Sequence, residues 1–137
     1  MFIKSLIPTE LNSTWKVVAT CESQTECQVD DFLSSLPTNY EKDGVAIRRL
    51  FAYVALNGPR LLPPEICHTI ATDIWQFRKG HIRVVWFYDE GKIVACCHAF
   101  VKKTQKTPLA VIRHATEALR DYRLQKARSN VTELPGG

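Results

Sequence analysis

Between Trp75 and Val101 three runs rich in β-branched and aromatic residues follow one another, Trp75 to Arg78, Ile82 to Asp89 and Lys92 to Val101, broken by Lys79-Gly80 and Glu90-Gly91. Glycine at such a break supplies the positive φ that a tight hairpin needs, so the pattern predicts three antiparallel strands in a meander. A sheet must bury at least one face. That requirement constrains what the rest of the chain has to supply.

Side chains alternate along a strand, so the register assigns them to faces. With an even number of loop residues at each turn, Arg78 faces His81 and Gln76 faces Arg83 across the first hairpin, and Arg83 lies opposite His98 across the second. Gln76, Arg78, His81, Arg83, His98 and Lys102 then share one cationic face. Trp75, Phe77, Ile82, Val84, Trp86, Tyr88, Ile93, Ala95, Cys97 and Val101 make the opposite face, which calls for helices to cover it.

Upstream, Trp15 to Cys21 reads as a first strand. Thr25 is positioned to cap a helix carrying Val29, Phe32, Leu33 and Leu36 on one stripe. A second helix buries Val45, Ile47, Leu50, Phe51 and Val54 and stops at Asn57-Gly58-Pro59. Met1 to Asn12 is weakly patterned, and Arg60 to Thr72, with Pro63-Pro64, reads as a loop. Thr107-Pro108 has the form of an N-cap and first-turn proline of a last helix with Ile112, Ala115, Leu119 and Tyr122 inside. From Ser129 onward no pattern remains, and 130–137 reads as a flexible tail. The expected order is β-α-α-β-β-β-α, an α+β fold with a small mostly antiparallel sheet and helices packed on one face, in a single domain over residues 1–137.

The net charge of +4 is unevenly spread. From Lys102 onward eight Lys/Arg stand against three acids, and the preceding residues sum to −1, so the basic character sits at one end and favours a polyanionic partner. The five cysteines have no CxxC spacing and read as small buried hydrophobes in a reducing cytoplasm. No run approaches the ~20 apolar residues of a membrane span and the N-terminus lacks a signal peptide's apolar segment, so a cytoplasmic protein without membrane contact is expected. His68, His81, His98 and His114 lack metal-site spacing, and no Walker, GxGxxG or GxSxG motif is present, so neither a metal nor a cofactor is expected.

Several guanidinium and ammonium groups on one face suit a phosphate backbone. On RNA they suit chemistry as well: a 2′-hydroxyl attacks the adjacent phosphate once a base takes its proton, and cations stabilise the pentacoordinate transition state. Taken singly, Arg78 and Arg83 are ordinary hairpin arginines, His98 is a core histidine, and Arg113, Arg120 and Arg123 are a solvated helix face. Only the joint placement of Arg78 and Arg83 with the lysines of 102–106 points to a site.

The segment HAFVKKTQKTP from His98 to Pro108, preceded by IWQFR and IRVVWFY, resembles the HigB-like, phage-derived branch of the RelE/ParE toxin superfamily. The resemblance implies the toxin of a type II toxin–antitoxin system, a metal-free mRNA endoribonuclease that works on the ribosome. It also implies a cognate helix-turn-helix antitoxin that silences the toxin within a hetero-oligomer. Carried onto matching positions, Arg78, Arg83, Lys106 and His98 become the catalytic candidates, and Lys102, Lys103 and Arg113 the RNA-binding ones; the general base is unassigned. Ile82 stands where the family usually has an aromatic residue and Gln76 where an acid is common. The alternative is a non-catalytic nucleic-acid- or protein-binding module of phage origin, either an inactive toxin or a gyrase-type inhibitor.

Overall fold

The computed structural model describes residues 1–135. The meander forms as expected: β4 (Ile74–Lys79), β5 (Ile82–Asp89) and β6 (Ile93–Val101) are antiparallel neighbours. It is the middle of something larger, a seven-stranded mixed sheet in the order β3-β4-β5-β6-β2-β1-β7. Here β1 is Phe2–Ser5, β2 Lys16–Cys21, β3 Cys67–Ala71 and β7 Thr132–Glu133. The strands β2 and β6 are parallel, as are β1 and β7, so the small, mostly antiparallel sheet of β-α-α-β-β-β-α order is corrected. Three segments expected to lack regular structure supply the additional strands: the lead-in gives β1, the Pro-Pro loop gives β3, and the segment after Ser129 gives β7. Gly136 and Gly137, the end of the expected flexible tail, lie outside the described residues.

Helices cover both faces, which corrects the expectation of a single covered face. On one side α1 (Gln28–Ser34) and α2 (Glu41–Asn57) pack Val29, Leu33, Ile47, Phe51 and Val54 against Val17, Phe77, Ile82, Val84 and Trp86. On the other, α3 (Leu109–Ala127) lays Ala115, Leu119 and Tyr122 over Ile3, Val18, Val85, Phe87, Ala95 and Cys97. Cys96 and Cys97 go to opposite cores, and all five thiols are free and buried.

The register explains why the expected face assignment fails in part. The turn after β5 has three residues, with Asp89 paired to Ile93 and positive φ at Gly91 and Lys92, so the alternation of β6 is inverted near it. Ala95 pairs with Phe87 and lies with Cys97 in the α3 core, away from the tryptophans with which they were expected. A bulge between Val85 and Trp86 inserts one extra residue on β6 and restores the original phase beyond it. Arg83 therefore faces Phe100, and His98 faces Val85. Past the end of β2 the backbone of Ala99 is completed by a side chain, its N–H donating to Gln28 Oε1 (2.9 Å) and its carbonyl accepting from Gln28 Nε2 (2.7 Å).

Helix ends also differ from expectation. Thr25 does not cap α1; Cys27 holds that position, and its N–H donates to Asp31 Oδ2. Pro108 rather than Thr107 precedes α3, and no side chain caps that helix.

The far end of α3 is tied to the sheet by Asp89, whose Oδ2 accepts from Tyr122 OH (2.6 Å) and Lys126 Nζ (2.8 Å). Burial alone would raise the carboxyl pKa, but these two donors and the Glu90 N–H outweigh it and hold the group below its ordinary value. A lowered folded-state pKa gives stability that is complete above the ordinary carboxylate pKa and is lost as pH falls through the folded value. Asp89→Asn is therefore expected to cost about 1–2 kcal/mol at neutral pH, the low end for bonds to a charge because Lys126 is half exposed. Urea unfolding at neutral and acid pH checks both this loss and a shallower fall in stability on the acid side.

Candidate functional site

The α3 core occupies only part of its sheet face. Toward the β4–β5 hairpin the same face carries Gln76, Arg78 and Arg83, and here the seven residues between β6 and α3 form a wall instead of a helix. Two bonds fix that wall: Lys102 N–H donates to the His81 carbonyl (2.7 Å), and Thr107 Oγ1 donates to Gln76 Oε1 (3.1 Å). The Thr107 hydroxyl read as a helix cap thus serves as a strut. Between wall and sheet lies a cleft of about 620 Å³.

Arg78, Arg83, Lys102, Lys103 and Lys106 all line this cleft, together with His68, Gln76 and the first turn of α3, and no Asp or Glu does. None of the five cations makes a salt bridge among the described residues. Arg78 and Arg83 are direct cross-strand partners, and Gln76 pairs with Val85, which corrects the expected pairs Arg78 with His81 and Gln76 with Arg83: the two turn residues are Gly80 and His81, not Lys79 and Gly80. Like charges at that spacing repel, so the pair carries an electrostatic cost that a bound anion would relieve.

Arg83 is the sharpest case, only 5% exposed. Its Nη1 donates to the carbonyls of Gly80 (2.8 Å) and Ile82 (3.0 Å), which locks the guanidinium against the turn without neutralising it. Burial, then Arg78, lower its pKa, while the weaker influence of Asp43 acts the other way. Guanidinium stays protonated regardless, so the cleft keeps a buried positive charge without a counter-ion.

His81 is not part of this cleft, contrary to the shared-face expectation. Gly80 takes φ 55°, and the turn folds against α2, where Asp43 Oδ2 accepts from the His81 N–H (2.9 Å) and lies 3.2 Å from its Nδ1. A Cβ at Gly80 would collide with that carboxylate, so the turn needs glycine for space as well as for φ.

His98 and Arg113 also lie outside. The His98 ring stacks on Phe100 (centroids 5.9 Å apart) and sits 5.3 Å from the His114 ring, and burial followed by His114 lowers its pKa. Arg113 is exposed on α3 and does not line the cleft.

Sequence reasoning missed His68. It lies on β3, directly opposite Gln76, and lines the cleft beside the arginines. Burial first, then Arg78, lower its pKa, and Arg83 adds to this against a raising effect from the Pro64 carbonyl. The signal existed only in the strand that was read as a loop.

At the opposite end of the sheet Trp15, Trp75 and Tyr88 line a second cleft of about 800 Å³. Its acid, Asp89, is already bonded to Tyr122 and Lys126, and its two cations, Arg60 and Lys92, do not match the density of charge in the first.

Among the described residues there is no cluster of three or more metal-ligating side chains, and no helix is long and apolar enough to cross a membrane. No curated protein matches the chain. Residues 31–120, about two thirds of it, match the family model described as "Phage derived protein Gp49-like (DUF891)", and the span contains the entire lining of the cationic cleft. On that match, the chain belongs to the phage-derived Gp49-like family, a RelE/toxin-like family.

Proposed function

We propose that the chain is the toxin of a type II toxin–antitoxin pair, an endoribonuclease that cuts mRNA on the ribosome and is silenced by a cognate helix-turn-helix antitoxin. The observation that carries this reading is the cleft itself: five cations, one of them buried, with no salt-bridge partner and no lining carboxylate among the described residues. Membership of a toxin-like family supports it.

In the proposed reaction the RNA 2′-oxygen attacks the neighbouring phosphorus and the bond to the 5′-oxygen breaks, leaving a 2′,3′-cyclic phosphate and a 5′-hydroxyl. Arg83 and Lys106 face the non-bridging oxygens, where charge builds up in the transition state. Arg78, Lys102 and Lys103 hold the flanking backbone. The uncapped first turn of α3 adds N–H groups and the positive end of its dipole at the cleft edge. Charge stabilisation comes from side chains, so the route needs no divalent ion.

Expression of the chain by itself is expected to arrest growth and to leave mRNA fragments with cyclic-phosphate ends, and cleavage by the purified protein on ribosomes should persist in EDTA. Salt-sensitive RNA binding without new ends would replace this reading with the non-catalytic module.

A further inference from the structure

We propose that His68 is the general base of this cleft, the group that takes the proton from the attacking 2′-hydroxyl. The inference rests on the nuclease reading and supplies the one role that reading leaves empty.

Three observations carry it. The first is chemical. The cleft is lined by arginine, lysine, threonine, glutamine and apolar residues, and its single imidazole belongs to His68. With no carboxylate there, His68 is the only lining side chain that ordinarily offers a free lone pair of a basic nitrogen near neutral pH.

The second is geometric. His68 pairs across the sheet with Gln76, and the Arg78 N–H donates to the Ile66 carbonyl (2.7 Å), so His68 and Arg78 are diagonal neighbours on the face that holds Arg83. The base and the phosphate-binding guanidiniums thus sit on adjacent strands of one rigid sheet.

The third is the ring's own environment. Nδ1 is buried and makes no hydrogen bond of good geometry, while the Pro64 carbonyl lies close enough to act on the ring. A half-buried ring with one nitrogen enclosed presents the other to the cleft. The groups acting on it are Arg78 on the neighbouring strand, the Pro64 carbonyl and Arg83 one strand further, and the rest of the cleft lining adds lysines and no acid. That setting favours the neutral ring, ready to accept a proton.

Nε2 takes the 2′-hydroxyl proton, O2′ bonds to phosphorus as the P–O5′ bond breaks, and the leaving 5′-oxygen takes a proton from solvent. The imidazolium beside two arginines then returns its proton to water.

The test is single-turnover cleavage of a defined mRNA on ribosomes between pH 5 and 9. It compares wild type, His68→Ala and His68→Gln, with binding measured on mRNA carrying 2′-methoxy groups that cannot react. The wild-type rate is expected to fall on the acid side with a midpoint below the ordinary imidazole pKa. Both variants should bind normally, cleave roughly 10²–10⁴-fold more slowly and lose that acid limb, and added imidazole should partly rescue His68→Ala. His68→Gln keeps a polar side chain of similar size and serves as the folded control. An unchanged rate and acid limb in the variants, or a loss of binding that matches the loss of rate, would overturn the assignment of His68 alone. Absence of cleavage by the wild type would overturn the nuclease reading and this inference with it.

Discussion

Replacing Arg83 by alanine is expected to lower RNA cleavage by roughly 10²–10³-fold, the usual cost of removing one preorganised donor from a developing charge. The fold should change little. The substitution removes two hydrogen bonds to the Gly80 and Ile82 carbonyls, worth about 0.5–1.5 kcal/mol each. It also removes a desolvated guanidinium with no counter-ion and its repulsion from Arg78, which work against stability. These terms oppose each other, so the thermal midpoint should shift by only a few degrees. Arg83→Lys restores the charge without the planar fork and should recover activity only in part. Cleavage rates and melting curves on the three proteins check this. A rate unchanged in Arg83→Ala would remove the central guanidinium from the chemistry.

The co-facing of Arg78 and Arg83 was legible although the turn lies one residue later than expected, at Gly80-His81, because either two-residue turn preserves parity. What lay beyond the second turn was not. A three-residue loop inverted the phase and a bulge restored it, so Arg83 and His98 share a face although they are not opposite each other. Nothing in the composition of VACCHAF marks where an extra residue will sit. His81 escaped because alternation ends inside a turn, and there the Asp43 carboxylate decided its direction.

The burial of the second face was hidden for a related reason. At the hairpin end this face reads Gln76, Arg78 and Arg83, which suggests solvent, yet further along it carries Val85, Phe87, Ala95 and Cys97. One sheet face thus holds a core and a cleft in series. Helical spacing showed that Ala115, Leu119 and Tyr122 are buried, but an amphipathic stripe does not say which side of a sheet it meets. The missed strands β1, β3 and β7 are short and lie in the outer part of the sheet, where propensity is weakest and pairing partners decide. Missing β3 also hid His68.

The largest stability effect is expected at Trp86, fully buried at the centre of an aromatic stack, its ring 4.9 Å from Phe77 and 5.7 Å from Trp75 with Tyr88 edge-on at 4.7 Å. Trp86→Ala empties a space that no neighbour can fill without leaving its own packing, and is expected to cost about 3–5 kcal/mol. Trp86 also has a buried Nε1–H with no acceptor, a group that costs about 1–3 kcal/mol to leave unpaired. Trp86→Phe removes that donor along with some volume, so its two effects oppose each other and the variant should stay within about 1.5 kcal/mol of wild type. Urea midpoints at unchanged slope give both values. Because Trp86 faces Trp75 across the same hairpin that places Arg78 opposite Arg83, the alanine variant should lose cleavage only as it unfolds. Activity lost from a Trp86→Ala protein that remains fully folded would mean that the tryptophan face, and not the cationic cleft behind it, carries the function.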